Sequence, residues 1–223
     1  MNQQLVGPNF NADLMKQAQQ RGLAALTEIA RRIDVGMTEP QANALALAVL
    51  AEFGAQTHWH PPIIRFGANS CKIYSEASDA SIQLQANDIF FIDLGPVFDG
   101  HEADIGATFT VGDAPEHQAC AAAVNAIFQQ VSQHWQATGC HGEALYAFAE
   151  QHAAAMGYQF NQEIKGHRVG DFPHRLYANG SLGDFSGPLR DGIWVLEIQI
   201  RHPSLPIGGF MEQVLFKETE RAQ

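Results

Sequence analysis

Four acidic residues interrupt runs that are otherwise apolar: Asp93 follows IFFI, Asp104 lies within EADIGATFTV, Glu197 follows WVL, and Glu212 stands between Met211 and the run VLF. Short runs this rich in β-branched and aromatic residues read as strands. A carboxylate buried in such a strand without a partner would neutralise or destabilise the fold, and no Lys or Arg adjoins any of the four in sequence. Positive charge must reach them from elsewhere, and bound divalent metal is the simplest source. Carboxylates joined by one or two imidazoles suit Mn²⁺, Fe²⁺, Co²⁺ or Zn²⁺, and four carboxylates are enough to hold two such ions. Two ions about 3.5 Å apart can share a hydroxide and polarise a carbonyl, so the chemistry expected is hydrolysis.

The rest of the chain frames these strands. Apolar residues from Asn11 to Ile33 recur at helical spacing. A second helix is predicted from Thr38, its N-cap, to a stop at Gly54. The aromatic, proline-rich stretch HWHPPIIRFG and a polar loop lead to IFFIDLGPVF, where Gly100 turns the chain back into EADIGATFTV. That pair predicts an antiparallel hairpin with Asp93 and Asp104 facing each other. The helical pattern returns from Pro115, and again from about Gly142 to Met156. After GHRVG and the turn-rich NGSLGDFSGPL come the strands IWVLEIQI and GFMEQVLF.

Helix, helix and strands therefore occur in that order twice, and Gly36 to Gly54 and Gly139 to Gly157 are both 18 apart. The pattern predicts an α+β fold of two related halves, about 11–112 and 113–217, around one antiparallel sheet. The acidic strand residues then lie near a pseudo-twofold axis, within a single domain spanning 1–223.

Composition narrows the function. With 13 Lys and Arg against 24 Asp and Glu, the formal charge is −11, which argues against nucleic acid or an anionic membrane as partner. Cys71, Cys120 and Cys140 form no CxxC, so neither a structural zinc site nor a disulfide framework is indicated. The first residues, MNQQLVGPNFNADLMK, lack the pattern of a secretory signal. A cytoplasmic protein is expected.

His167, between glycines in GHRVG, is the natural nitrogen ligand, and His174 seven residues later is placed for the substrate or a developing oxyanion. Taken alone, either reads as a hydrogen-bonded structural residue; beside four carboxylates the balance reverses. His58 and His60, with Trp59, Pro61 and Pro62, read as loop and packing residues. A place at the pocket mouth or in a third ion site is their alternative.

The series Asp93, Asp104, His167, Glu197, Glu212 resembles, in order and approximate spacing, the metal set of the pita-bread metallopeptidases: methionine aminopeptidase, aminopeptidase P, prolidase and their non-peptidase relative creatinase. IDLGPVFDGHEADIGATF looks like that family's metal hairpin, and the resemblance covers nearly the whole chain. It implies the pita-bread fold and a dinuclear hydrolase with a metal-bridging hydroxide, most often one acting next to an N-terminal residue. Asp93 would then bind one ion with both oxygens, Asp104 and Glu212 would bridge, and His167 and Glu197 would complete the second ion's shell. Glu197 would also shuttle the proton, and His174 would serve the substrate site. The resemblance further implies a small peptide or amide substrate and a monomer or homodimer, without the extra N-terminal domain of aminopeptidase P, prolidase and creatinase.

Three departures stand out. GANSCKIYS places Tyr74 where the family usually has a histidine that positions the scissile amide, so Tyr74, or else Lys72, is the candidate donor to the substrate there, with an ordinary loop role as the alternative for both. The usual DxTRT reads DIGAT, keeping Thr108, and the usual Glu-Pro reads Glu197-Ile198. The alternatives are thus a creatinase-like hydrolase of a non-peptide C–N bond, or an impaired family member kept as a binding protein.

Overall fold

The computed structural model describes residues 3–217. Helix α1 (Ala12–Arg32) begins where the Asn11 side chain accepts hydrogen bonds from the Asp13 and Leu14 amides, donors that a helix start leaves open. Helix α2 (Glu39–Glu52) opens on a capping box in which Thr38 and Gln41 each take the other's backbone amide. Strands β1 (Thr57–Phe66), β2 (Asp88–Phe98), the two-residue β3 (His101–Glu102) and β4 (Ile105–Val111) follow. The second half repeats this order with α3 (Pro115–Thr138), α4 (Gly142–Ala155), β5 (Gln159–Phe160), β6 (His167–Arg168), β7 (Trp194–Arg201) and β8 (Gly208–Val214).

The strands make one antiparallel sheet in the order β1-β2-β4-β8-β7-β5, with β3 on β2 and β6 on β7. The halves meet at β4 and β8 through a single ladder pair, Gly106 with Glu212. Thr108 extends that seam, its hydroxyl donating to the Phe210 carbonyl and accepting from the Phe210 amide, both at 2.7 Å.

Side-chain alternation along the strands decides what each face does. Ile92 and Leu94 of β2 join Leu26, Ile29, Val49 and Leu50 of the first helix pair in one core. Leu196 and Ile198 of β7 join Val124, Ile127 and Val131 of α3 in another. Asp93 and Glu197, each lying between two such core residues, therefore point to the opposite face. Among the described residues no helix is long and apolar enough to cross a membrane.

Two local expectations are corrected. HWHPPIIRF is a strand rather than a loop. Its prolines, which lack an N–H, are tolerated because β1 is the sheet edge and its register shifts between His58 and His60 and between His60 and Ile63. Asp93 does not face Asp104 directly but pairs with Gly106, two residues further on.

Candidate metal centre

One row of paired residues crosses five strands: Ile63, Asp93, Gly106, Glu212 and Glu197. Directly opposed residues point to the same face with Cβ atoms about 5 Å apart, so Asp93, Glu212 and Glu197 share one patch. Asp104, two positions before Gly106, adds the fourth carboxylate. Gly106 stays bare in the middle because a Cβ there would come within 2.4 Å of the Phe210 ring.

These acids are buried with few partners. Among the described residues, Asp93 Oδ1, both oxygens of Asp104 and Glu212 Oε2 find no aligned hydrogen bond. What faces them is imidazole. His167 Nε2 lies 2.9 Å from Asp104 Oδ2 and 3.7 Å from Glu212 Oε1. His60 Nε2 lies 3.5 Å from both Asp93 Oδ1 and Asp104 Oδ1. Two groups of ligand atoms are thereby close enough to hold an ion each, His60 with Asp93 and Asp104, and Asp104 with His167 and Glu212. Asp104 belongs to both.

The titration behaviour shows how strongly this patch attracts positive charge. Burial, reinforced by the charges of Asp104 and Glu197, raises the Asp93 carboxyl to about 7 against the opposing pull of His60. Burial, with the charges of Asp104, Glu197 and Asp93 behind it, pushes Glu212 well above the usual carboxylate range. Burial opposes the charge on His167, but the Asp104 carboxylate wins and raises that imidazole to about 10. His60 likewise rises to about 9 despite burial, chiefly through Asp93. Asp104 resists burial and stays below its ordinary value, above all because of His167. Protons and divalent cations compete for such oxygens and imidazoles, so the donor set and its orphaned atoms fit hard or borderline metal ions.

The patch floors a cleft of about 1100 Å³. His174 lines the cleft and is held from behind by Glu102, only 1 % exposed. That carboxylate accepts from the amides of Gly170 and His174 at 3.0 Å and from the His174 Nδ1–H at 2.6 Å. Trp59 forms the cleft wall, with its ring edge-on to His60, His167 and His174 and its Nε1–H donating to the Ala103 carbonyl.

Residues 13–200 match metallopeptidase family M24. The chain belongs to that family. Its M24 relatives include methionine aminopeptidase 2 of Bacillus subtilis (strain 168), 28% identical over 160 residues that make up 67% of this chain and 62% of that one. Among solved structures, the X-Pro aminopeptidase of Thermotoga maritima superposes with a TM-score of 0.75 at 22% identity, covering 92% of this chain and 58% of the other. The methionine aminopeptidase of Thermotoga maritima gives 0.76 at 15% identity, with 96% and 97% covered. The chain thus spans about three-fifths of the first two relatives and nearly all of the third, and it shares the pita-bread fold with the solved structures.

Asp93, Asp104, His167, Glu197 and Glu212, the residues expected from the sequence to hold metal, all line the cleft, and so does His174. Tyr74 lines it too, but at the rim and 73 % exposed. Two site residues escaped the sequence reading. His60 reads from sequence first as a loop residue, with the pocket mouth only as its alternative, because the prolines beside it hide the strand. Glu102 had one available signal, an acid two residues before Asp104 on a hairpin return, where alternation puts both on one face.

Proposed function

We propose that the chain is a dinuclear metal-dependent peptidase, an aminopeptidase or Xaa-Pro-type enzyme, built as one catalytic domain of two halves. The observation that carries this reading is the convergence of four carboxylates with the orphaned oxygens of Asp93, Asp104 and Glu212 at the floor of one cleft. Asp93, Asp104, His167, Glu197 and Glu212 would hold the ions, of Mn²⁺, Co²⁺, Fe²⁺ or Zn²⁺ type. When bound, such a pair supplies Lewis acidity toward a scissile carbonyl and brings the pKa of a water down to about 7.

The chain's own groups do the rest. Glu197 takes a proton from the attacking water and hands it to the leaving amine. Glu102 fixes the His174 ring by accepting its Nδ1–H and the Gly170 and His174 amides, so that Nε2 is presented to the substrate in the cleft. Trp59 keeps bulk water off the three imidazoles it touches. The acidic floor attracts a free amino group of the substrate, in keeping with a small peptide. The three free cysteines accord with a cytoplasmic setting.

The test is elemental analysis of stripped and reloaded protein joined to a screen of dipeptides and tripeptides, some with proline in second place. Two ions per chain and peptide turnover are expected. No bound ion after loading with each metal, or unchanged metal in Asp104→Ala, would sink the reading. Tyr74 at the place of the family's amide-positioning histidine favours a second reading, a creatinase-like hydrolase; turnover of guanidino compounds and of no peptide would select it.

A further inference from the structure

We infer that His60 is a ligand of the first ion, so that each half of the protein contributes one imidazole to the metal centre. The inference rests on the two-ion reading above and adds a residue that the family's ligand series does not contain.

The tautomer is fixed by the neighbouring backbone. The His60 Nδ1–H donates to the Pro61 carbonyl at 2.8 Å, and a carbonyl can only accept. The neutral ring therefore turns the lone pair of Nε2 toward Asp93 Oδ1 and Asp104 Oδ1, two of the oxygens that lack an aligned hydrogen bond. A lone pair set against two carboxylates is repulsive unless a proton or a metal cation lies among them, and the distances tell the two apart. Ligand atoms bonded at about 2.1 Å in a tetrahedron stand about 3.4 Å apart, whereas an aligned N–H···O bond is about 2.9 Å. His60 Nε2 stands 3.5 Å from each oxygen, the spacing of ligand edges rather than of a hydrogen bond.

The backbone makes room for this ring. His60 lies opposite Gly95 on β2, and a Cβ at Gly95 would fall 2.2 Å from the imidazole Cδ2 and 2.5 Å from Nε2. The two imidazoles reach the acidic row from opposite directions along their outer strands. His60 pairs with Gly95, two positions after Asp93, whereas His167 pairs with Val195, two positions before Glu197. Each ring donates its Nδ1–H at 2.8 Å to the carbonyl of the next residue, Pro61 or Arg168. Each half thus sets one ring on one acidic pair, His60 on Asp93 and Asp104 and His167 on Asp104 and Glu212, though not at symmetry-equivalent positions. A second imidazole moves the first ion's preference from Mn²⁺ toward Zn²⁺, Co²⁺ or Fe²⁺.

The experiment compares wild type, His60→Phe, His60→Gln and Gly95→Ala, each stripped and reloaded with Zn²⁺. It reads stoichiometry, affinity by competition with a chelator, and imidazoles per zinc by X-ray absorption. Thermal melts select the variants that remain folded. We expect two ions and one imidazole per zinc in wild type. In His60→Phe and His60→Gln the imidazole count should halve and the first ion weaken by at least about tenfold, since even partners behind metal ligands command 10- to 100-fold. Gly95→Ala, which displaces the ring while keeping the histidine, should do the same. Two ions with unchanged affinity and unchanged imidazole count in the folded His60 variants would overturn the inference while leaving the two-ion reading intact. One ion in wild type and two in His60→Phe would overturn it as well, by showing the protonated ring standing in for a cation. A wild type that binds no ion at all fails earlier, at the proposed function itself.

Discussion

The outer strands of the two halves differ more than their hairpins do. In the first half β1 runs for ten residues and pairs with β2 from Thr57 to Phe66. In the second half the corresponding edge of β7 is covered in two fragments, β6 opposite Trp194 and Val195 and β5 opposite Ile200 and Arg201. Glu197 lies in the gap, and there the Tyr146 hydroxyl replaces a neighbouring strand, donating to the Glu197 carbonyl at 2.9 Å and accepting from its amide at 3.3 Å. Both halves bring one imidazole to the acidic row. The site therefore needs a single fixed point from each outer strand, and the broken one releases the segments around Gln162, Lys165, Arg175 and Asp184 to wall the cleft.

The sharpest way to break this arrangement is at Asp104, which both groups of ligand atoms share. Asp104→Ala is expected to remove metal and lower turnover by at least about 10³-fold, because several kcal/mol of Lewis-acid stabilisation leave with the ions. Elemental analysis beside a rate measurement decides whether the two losses coincide. Next comes a matched pair in the cores. Ile92→Ala and Ile198→Ala each delete a fully buried side chain on equivalent strands, and each is expected to cost about 2–5 kcal/mol. If the halves are one cooperative unit, denaturant curves will show a single transition for both variants; a second transition in either would mean that the halves unfold separately.

Smaller effects sharpen the picture. Glu102→Gln should lower kcat by roughly 10²-fold, the low end of a general acid–base contribution, while metal content stays at the wild-type level. Loss of metal in this variant would reassign Glu102 from His174 to the ions. Smallest of all is Arg32→Ala, which removes pairs to Glu28 and Glu52. Hydrogen bonds from Arg31 and Arg32 hold the Glu28 carboxyl down at about 2. Its folded value lies below its unfolded value, so this contribution is present above the ordinary carboxylate range and fades as pH falls toward about 2. Melting curves of wild type and Arg32→Ala should accordingly differ slightly near neutral pH and converge in acid.

Much of this organisation is legible in the chain because it rests on local rules. Both helix pairs, the hairpin carrying Asp93 and the strands carrying Glu197 and Glu212 follow from periodicity and caps, and they lie within a residue or two of where those signals put them. The acids were legible because a carboxylate amid Ile, Phe and Leu contradicts its surroundings. Register was not. Nothing near Asp93 says that it pairs with Gly106 rather than Asp104, since β3 and the turn before it shift the ladder. His60 was hidden by prolines that usually deny a strand. Glu102 was hidden because its partner, His174, lies 72 residues away.

The opening residues have a consequence for handling the protein. Arg168, beside His167, donates to the carbonyls of Gln3 and Leu5, and Asp171 accepts from the amides of Gly7 and Asn9. Gln4 adds contacts to the Arg190 amide and the Trp194 indole. These bonds make the stretch before α1 a strap across the segment that carries a metal-facing histidine. Trimming it would take these partners from Arg168 and Asp171, so the segment that carries His167 would be held less firmly.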